Sequence, residues 1–374
     1  MTEAARKLAR AAVLMQTALS ESTGLKGRDQ KLVVYWTLAT HSLPHVSTFP
    51  LLALLGKMGT GKSQTLSVIE NFGFRAARMS LRGMTGPAIR DKFAECDGGT
   101  AIVEEADAAW KDADLSFERL LSDRYQKASA EASHKVPSGD KNWRTITKQY
   151  FGATALHRRV PFNDAALDGR TVTVRLRPDH TREYREYNDK DPRNVEGKEL
   201  IAQLTFEPPA VNPPKGVAAR IFNTYRPLLS AAQVCGDEDF AEQVLSKLRQ
   251  ETLELKEAQA SEPDGLVLGA IVELVFASGC AEFQNIKLSA LAKSMWDNHR
   301  FALVPRQIAP IARDLGFVTK PSHGVTVVVP TPATLLKACD ECEYTDDAIE
   351  ELRLGMLGCD GVSADVKGSQ SGRF

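Results

Sequence analysis

The stretch GKMGTGKS at residues 56–63 follows the apolar run LLALL and precedes the apolar-periodic stretch QTLSVIENF. It satisfies the pattern G-x-x-x-x-G-K-[ST], in which glycines turn successive backbone N–H groups into one concavity and the following helix adds the positive end of its dipole. That chemistry suits a nucleoside triphosphate. Lys62 is expected to reach the β- and γ-phosphates and the Ser63 hydroxyl to hold Mg2+, while Gly56, Lys57, Gly59, Thr60, Gly61 and the adjoining Gln64 complete the cradle. ATP and Mg2+ are the expected cofactors.

Hydrolysis needs a second, acidic strand to place the metal and the attacking water. The segment GGTAIVEEAD, residues 98–107, supplies one: four mostly apolar residues run into Glu104 and Glu105, with Asp107 beyond. Glu104 is expected on the metal and Glu105 on the water. Glu104 stands where such sites usually carry aspartate, and its longer side chain alters the metal distance. The other reading of these acids is decoration of a helix N-terminus, where negative charge meets the dipole. A polar residue at a strand end should sense the γ-phosphate, and Thr154 in YFGATA is the candidate, although threonine also simply favours strands. Arg170, just before TVTV, could reach the γ-phosphate of a neighbouring subunit, with Arg158 and Arg159 as competitors and a solvated surface arginine as the bland alternative.

These side chains require a parallel sheet to bring them together. Strand, turn, helix and strand alternate from residue 49 to 178, with LLALL, TAIVEE, TKQYFGATA and TVTVRL as strands, so an α/β nucleotide-binding core is expected there. A helical segment, residues 1–48, precedes it. A charged, proline-rich linker and two lid helices span residues 179–260, a winged-helix-like domain spans 261–345, and a partly disordered tail spans 346–374. Between the acidic and sensing strands, SHKVPSGDKNWRTIT reads as a hairpin around a Pro-Ser-Gly-Asp turn. Lys135, Lys141 and Arg144 with Trp143 suit phosphate tracking and base stacking, against the alternative of a plain exposed hairpin.

Bulk properties narrow the class. With 374 residues the chain is long enough for two or three domains, and 43% hydrophobic with 25% charged residues is ordinary for globular proteins. A formal charge of −1 excludes a uniformly basic coat, so any DNA surface is a local patch. No apolar stretch is long enough to span a bilayer, and the six cysteines are scattered, so a cytoplasmic protein is expected. Cys339 and Cys342 form the one close pair; without a second pair at usable spacing they read as helix-face thiols.

By its motifs the chain resembles the helicase-type P-loop ATPases of plasmids, prophages and integrative elements, often found with primases and distantly similar to superfamily three and AAA+ helicases. The similarity is carried by YWTLATH, GKMGTGKS, IVEEAD, LLSDRYQKA, FGATALHRRVPFNDAALDGRTVTVRL and VAARIFNTYRPLLSAAQVCGD, and then by SALAKSMW and LVPRQIAPIARDLGF, across residues 33–345. The resemblance implies a ring-forming motor, with a hexamer as the expected size, that works on single-stranded or forked DNA, with a separate primase or replication protein as a further partner. It also implies Arg220 as a second sensor in cis.

In the last of these stretches Ile308, Ile311, Ala312 and Leu315 share one helical face, leaving Arg306, Gln307, Arg313 and Lys320 near the other. Arg306 and Arg313 are the candidate DNA contacts of a recognition helix; a protein-docking winged helix is the alternative. Two further functions are open: a nucleotide switch that loads or regulates a partner protein, and a DNA-sensing defence ATPase.

Overall fold

The computed structural model describes residues 2–104, 106, 116–137, 143–162, 164–178, 183–260, 262–277, 283–322, 324–342, 344 and 346–359. The chain divides into two compact units, Met1–Gln250 and Glu251–Phe374.

In the first unit, helix α1 (Glu3–Ser22) opens with the Thr2 hydroxyl accepting the Ala5 N–H at 3.2 Å and turns Leu8, Ala11, Met15 and Leu19 inward. Helix α2 (Gly27–Ala39) starts with the polar run GRDQK and then turns apolar, and every residue from Leu32 to Ala39 is buried, as expected of a helix that enters a core. Its Trp36 Nε1–H donates to the Pro50 carbonyl at 3.0 Å, which fixes the entry to strand β1 (Leu51–Leu55). The uninterrupted burial of LLALL is that of a strand covered on both faces.

Helix α3 (Lys62–Phe72), strand β2 (Ala77–Met79), helix α4 (Gly86–Glu95), strand β3 (Thr100–Val103) and helix α5 (Ser116–Arg124) follow. Strands β4 (Glu131–Pro137) and β5 (Trp143–Gln149) pair antiparallel as a separate two-stranded hairpin, from Glu131 opposite Gln149 to Pro137 opposite Trp143. Strand β6 (Ala153–Arg158), the short helix α6 (Ala165–Asp168) and strand β7 (Thr171–Arg175) complete a five-stranded sheet in the order β2-β3-β6-β1-β7, parallel throughout. The stretch TKQYFGATA is therefore not one strand. Its first half belongs to β5 and its second to β6, with the break at Gly152, where a Cβ would stand 2.4 Å from the Gly99 carbonyl oxygen.

Helix α7 (Pro192–Ile201) lies against α1, and helices α8 (Ala219–Cys235) and α9 (Glu238–Ala260) come next. Phe222, Leu228, Phe240, Val244 and Leu248 share one hydrophobic core with α1, α2 and the sheet. Asp237, between α8 and α9, joins them to α2 by accepting from Lys31 Nζ at 2.9 Å and Tyr35 Oη at 2.7 Å. Burial works against the Asp237 charge, yet hydrogen bonds from Lys31, Tyr35 and the Phe240 N–H hold its carboxyl below the ordinary value. A depressed folded value places this contribution at pH above about 4 and removes it as pH falls through the lowered folded value. Asp237→Ala is expected to cost about 1–3 kcal/mol at pH 7 and to flatten the acid limb of stability, read from urea midpoints across pH.

The second unit has its own core around Leu268, Ile271, Leu291, Met295, Ile308 and Val328. Its order is helix α10 (Pro263–Val275), strand β8 (Ile286–Lys287), helices α11 (Leu288–His299) and α12 (Pro305–Asp314), then strands β9 (Val318–Ser322) and β10 (Val325–Val329), which form an antiparallel sheet β8-β10-β9. Glu273 ties α10 to α11 by accepting from Ser294 Oγ and Asn298 Nδ2, both at 2.7 Å. Helices α13 (Pro332–Glu341) and α14 (Asp347–Cys359) follow, with Ile349 fully buried, so the segment from 346 contributes to this core; residues 360–374 lie outside the described residues. Burial pushes the Cys339 thiol up to about 12, and among the described residues no cluster of three or more His, Cys, Asp or Glu side chains is placed to hold a metal. No described helix is long and apolar enough to cross a membrane.

Candidate functional site

Because the five strands are parallel, their carboxyl ends share one edge, the edge at which open α/β sheets bind ligands. The glycine turn leaves β1 there. The Gly56 N–H donates to the Arg158 carbonyl at 3.2 Å, and the Leu176 N–H donates to Leu55 O at 2.7 Å, so the turn starts between the ends of β6 and β7. A Cβ on Gly56 would lie 2.7 Å from both the Leu176 carbonyl oxygen and Thr60 Oγ1; only glycine fits. Gly59 and Gly61 have φ of 77° and 87°, a conformation that carries the chain into α3 and is strained for other residues.

The turn wraps its own lysine. Lys62 Nζ donates to the carbonyls of Gly56 at 2.7 Å and Lys57 at 2.6 Å. The Thr60 hydroxyl donates to Lys57 O at 2.9 Å, and Thr65 closes the helix start by donating from both its N–H and its hydroxyl to Gly61 O. Ser63 is exposed in the first turn of α3. Gln64 faces another neighbour: its Oε1 accepts the Tyr187 N–H at 2.9 Å, fastening residues 183–188 to α3.

At the end of β3, Glu104 is paired with Arg78, whose Nη1 donates to Glu104 Oε1. Arg78 also donates to Glu70 Oε2 and to Ser67 Oγ, both on α3. Arg78 was not among the residues expected from sequence. It sits on a strand of three residues, too short to leave a periodic signal. Glu105 lies outside the described residues.

Three other candidates stand at the opposite edge. Thr154 is at the amino end of β6, opposite Ala101, 2% exposed, and its hydroxyl accepts from Arg124 Nε at 2.9 Å. The sequence reading of Thr154 as a sensor at a strand end is corrected here: β6 continues to Arg158, so its carboxyl end presents His157 and Arg158 instead. Arg170 precedes β7, with its backbone carbonyl accepting the Leu51 N–H at 3.1 Å; its guanidinium donates to Ser122 Oγ and lies 5.3 Å from the Tyr125 ring centre. Arg220, at the start of α8, lies against Gly169, where an added Cβ would come within 3.2 Å of its Nη2. Five strand residues, roughly 16 Å, separate this edge from the turn, so neither arginine reaches the turn of its own chain, and the reading of Arg220 as a second sensor in cis is corrected by its place against Gly169. Arg158 is buried over the Phe162 ring at 4.2 Å, and Arg159 is exposed.

The hairpin pairs Lys135 with Thr145 and Trp143 with Pro137; Arg144 is exposed, and Lys141 lies outside the described residues. On α12, Ile308 and Ala312 are fully buried while Arg306, Gln307 and Arg313 are exposed, and Lys320 is exposed on β9. This is the amphipathic division expected from the sequence.

No protein-family model matches the chain, and no curated protein matches its sequence. Among solved structures the chain is similar to the C-terminal region of NrS-1 in its A-form apo state. One structure of that region has a TM-score of 0.40 at 11% identity over 85% of this chain and 76% of the other. A second has a TM-score of 0.39 at 10% identity over 85% and 75%. The SCCmec type IV Cch protein, described as an active helicase, has a TM-score of 0.35 at 14% identity over 82% of this chain and 68% of the other.

Proposed function

We propose that this chain is an ATP-hydrolysing P-loop motor with a winged-helix domain, acting on DNA as a helicase or helicase-like machine in the replication of a mobile genetic element. One observation carries the reading. The glycine turn and the acidic end of β3 leave the same edge of the sheet with a single strand, β6, between them. Two strand spacings, about 9.6 Å, leave room for a terminal phosphate, its metal and a water between the cradle and the carboxylates.

The residues fit a magnesium-bound triphosphate. Gly56 admits no side chain, Gly59 and Gly61 turn the backbone, and Lys62 lies inside the turn, where phosphate oxygens can replace the two carbonyls it now donates to. Ser63 and Glu104 would hold Mg2+, which when bound neutralises charge developing on the transferred phosphoryl group. Glu105 is assigned to orient the water. Arg170 is assigned to the nucleotide of a neighbouring copy: its place at the far edge from its own turn is the disposition such a role requires. This makes the motor a ring, with a hexamer as the expected size.

Lys135, Lys141, Trp143 and Arg144 of the hairpin, and Arg306 and Arg313 of α12, are the proposed DNA contacts. Turnover measured with and without single-stranded DNA tests them. Lys141→Ala combined with Trp143→Ala is expected to lower the ratio of DNA-stimulated to DNA-free turnover several-fold, since base stacking alone is worth about 1–3 kcal/mol. An unchanged ratio removes the hairpin from the DNA path. If Arg306→Ala with Arg313→Ala leaves DNA affinity unaltered, the winged domain is a protein-docking module instead.

A further inference from the structure

We infer that Arg78 sets the Mg2+ requirement of the nucleotide site by holding Glu104 in an ion pair that competes with the hydration shell of the metal; the inference rests on the nucleotide reading above. Arg78 lies on the edge strand β2, beside β3. Its Nη1 donates to Glu104 Oε1. Its other nitrogens face α3: Nε donates to Glu70 Oε2 at 2.8 Å and Nη2 donates to Ser67 Oγ at 2.9 Å, with Nη2 also ion-paired to Glu70 Oε2 at 2.7 Å. The helix that begins at Lys62 therefore clamps the guanidinium and presents its remaining donor to the carboxylate at the end of β3.

Two consequences follow from charge and geometry. A positive charge one hydrogen bond from Glu104 weakens the attraction of that carboxylate for a divalent cation. A planar fork held at three points also fixes Glu104 by one oxygen, so a metal-bound water competes with Arg78 for that oxygen or takes the carboxylate in the orientation Arg78 sets. The pair is exchangeable because it is wet: the Arg78 and Glu104 side chains are 30% and 38% exposed. Glu70 competes with Glu104 for the same guanidinium, so the strength of the hold on Glu104 depends on a residue of α3 that does not itself stand at the end of β3.

The test is binding of a fluorescent nonhydrolysable ATP analogue to the full chain, titrated with Mg2+. Arg78→Ala is expected to lower the half-saturating Mg2+ about 2- to 5-fold, the range for an exposed ion pair. Arg78→Lys, a point charge without the fork, should fall between Arg78→Ala and wild type. Glu70→Gln should move the value the other way, because Arg78 then has one carboxylate to serve. An unchanged or raised Mg2+ requirement in Arg78→Ala with an unaltered melting temperature overturns the proposal. Should Arg78→Ala melt early, Glu70→Gln decides it, and a lowered or unmoved Mg2+ requirement there is the contrary result. If the wild type binds no nucleotide at any Mg2+ concentration, the nucleotide reading falls and this proposal with it. If the wild type binds nucleotide and the variants do not shift, only the Arg78 proposal fails.

Discussion

Lys62→Ala is expected to lower ATP turnover by about 100-fold or more while leaving the melting temperature within a few degrees of wild type. The ammonium donates to the Gly56 and Lys57 carbonyls at the mouth of an otherwise self-supporting turn. Gly56 is held by its N–H bond to Arg158, Thr60 by its hydroxyl bond to Lys57, and α3 by the two bonds from Thr65 to Gly61. None of these needs the lysine. What the alanine removes is the positive charge that the triphosphate would meet, so the loss should appear in nucleotide affinity and turnover rather than in unfolding. Coincident loss of both activity and cooperative unfolding would mean that Lys62 is structural.

Arg124 is the second large effect, of the opposite kind. Arg124→Met is expected to destabilise the first unit by about 3–5 kcal/mol, a large part of the stability of an ordinary domain. The guanidinium is fully enclosed, and burial pushes its pKa down to about 10, which still leaves it charged at neutral pH. It donates to the carbonyls of Phe93 at 3.2 Å, Gly99 at 3.1 Å, Ala153 at 3.2 Å and Tyr150, and to the Thr154 hydroxyl, and it stacks 4.7 Å from the Phe93 ring centre. One side chain thus joins α4, the loop before β3, the end of the hairpin and the start of β6. Methionine keeps the stem packing and removes the guanidinium from these acceptors, which costs about 1–3 kcal/mol for each that neither water nor another donor can reach; the Phe93 carbonyl still accepts the Cys96 N–H at 3.2 Å. Thr154→Val should lose only about 1 kcal/mol, since it removes one acceptor among five. Urea unfolding of both variants checks the ordering, and equal losses would contradict the hub.

Much of the sheet was legible in residues alone because a parallel strand is written as a continuous apolar run. LLALL, the TAIV of TAIVEE and the TVTVR of TVTVRL are strands of the sheet. The turn was legible because its backbone demands glycine at fixed places. The failures have physical causes as well. TKQYFGATA alternates well enough for one strand, and only the approach of Gly99 and Arg124 to Gly152 shows why it breaks. Thr154 stands next to last in YFGATA but second in β6, which runs on to Arg158, so its edge is misjudged by the length of the strand. Arg124 lay within LLSDRYQKA as an ordinary charged residue, and nothing local distinguishes an arginine that will be fully enclosed from one in water. Arg78 and Glu104 are 26 residues apart, and their pairing exists only once β2 has been laid beside β3.

Two groups of candidate residues separate in space. Lys62, Ser63 and Glu104 gather at the carboxyl edge, whereas Arg170 and Arg220 gather at the amino edge. Under the proposed ring, a single chain would carry the two halves of a site, with Lys62, Ser63 and Glu104 on one edge and Arg170 on the other. In a ring of identical copies the arginine of one subunit can complete the cradle of the next, as head-to-tail interfaces allow. Arg170→Ala mixed into wild-type protein should therefore depress turnover of the mixture more steeply than its mole fraction.

Strand displacement on a forked DNA duplex is the most direct trial of the motor, run with wild type and Lys62→Ala in the presence of Mg2+ and ATP. The account predicts that wild type separates the strands only when ATP can be hydrolysed and that Lys62→Ala separates none. ATP hydrolysis by the wild type that never separates strands, or separation that proceeds equally without ATP, would contradict it.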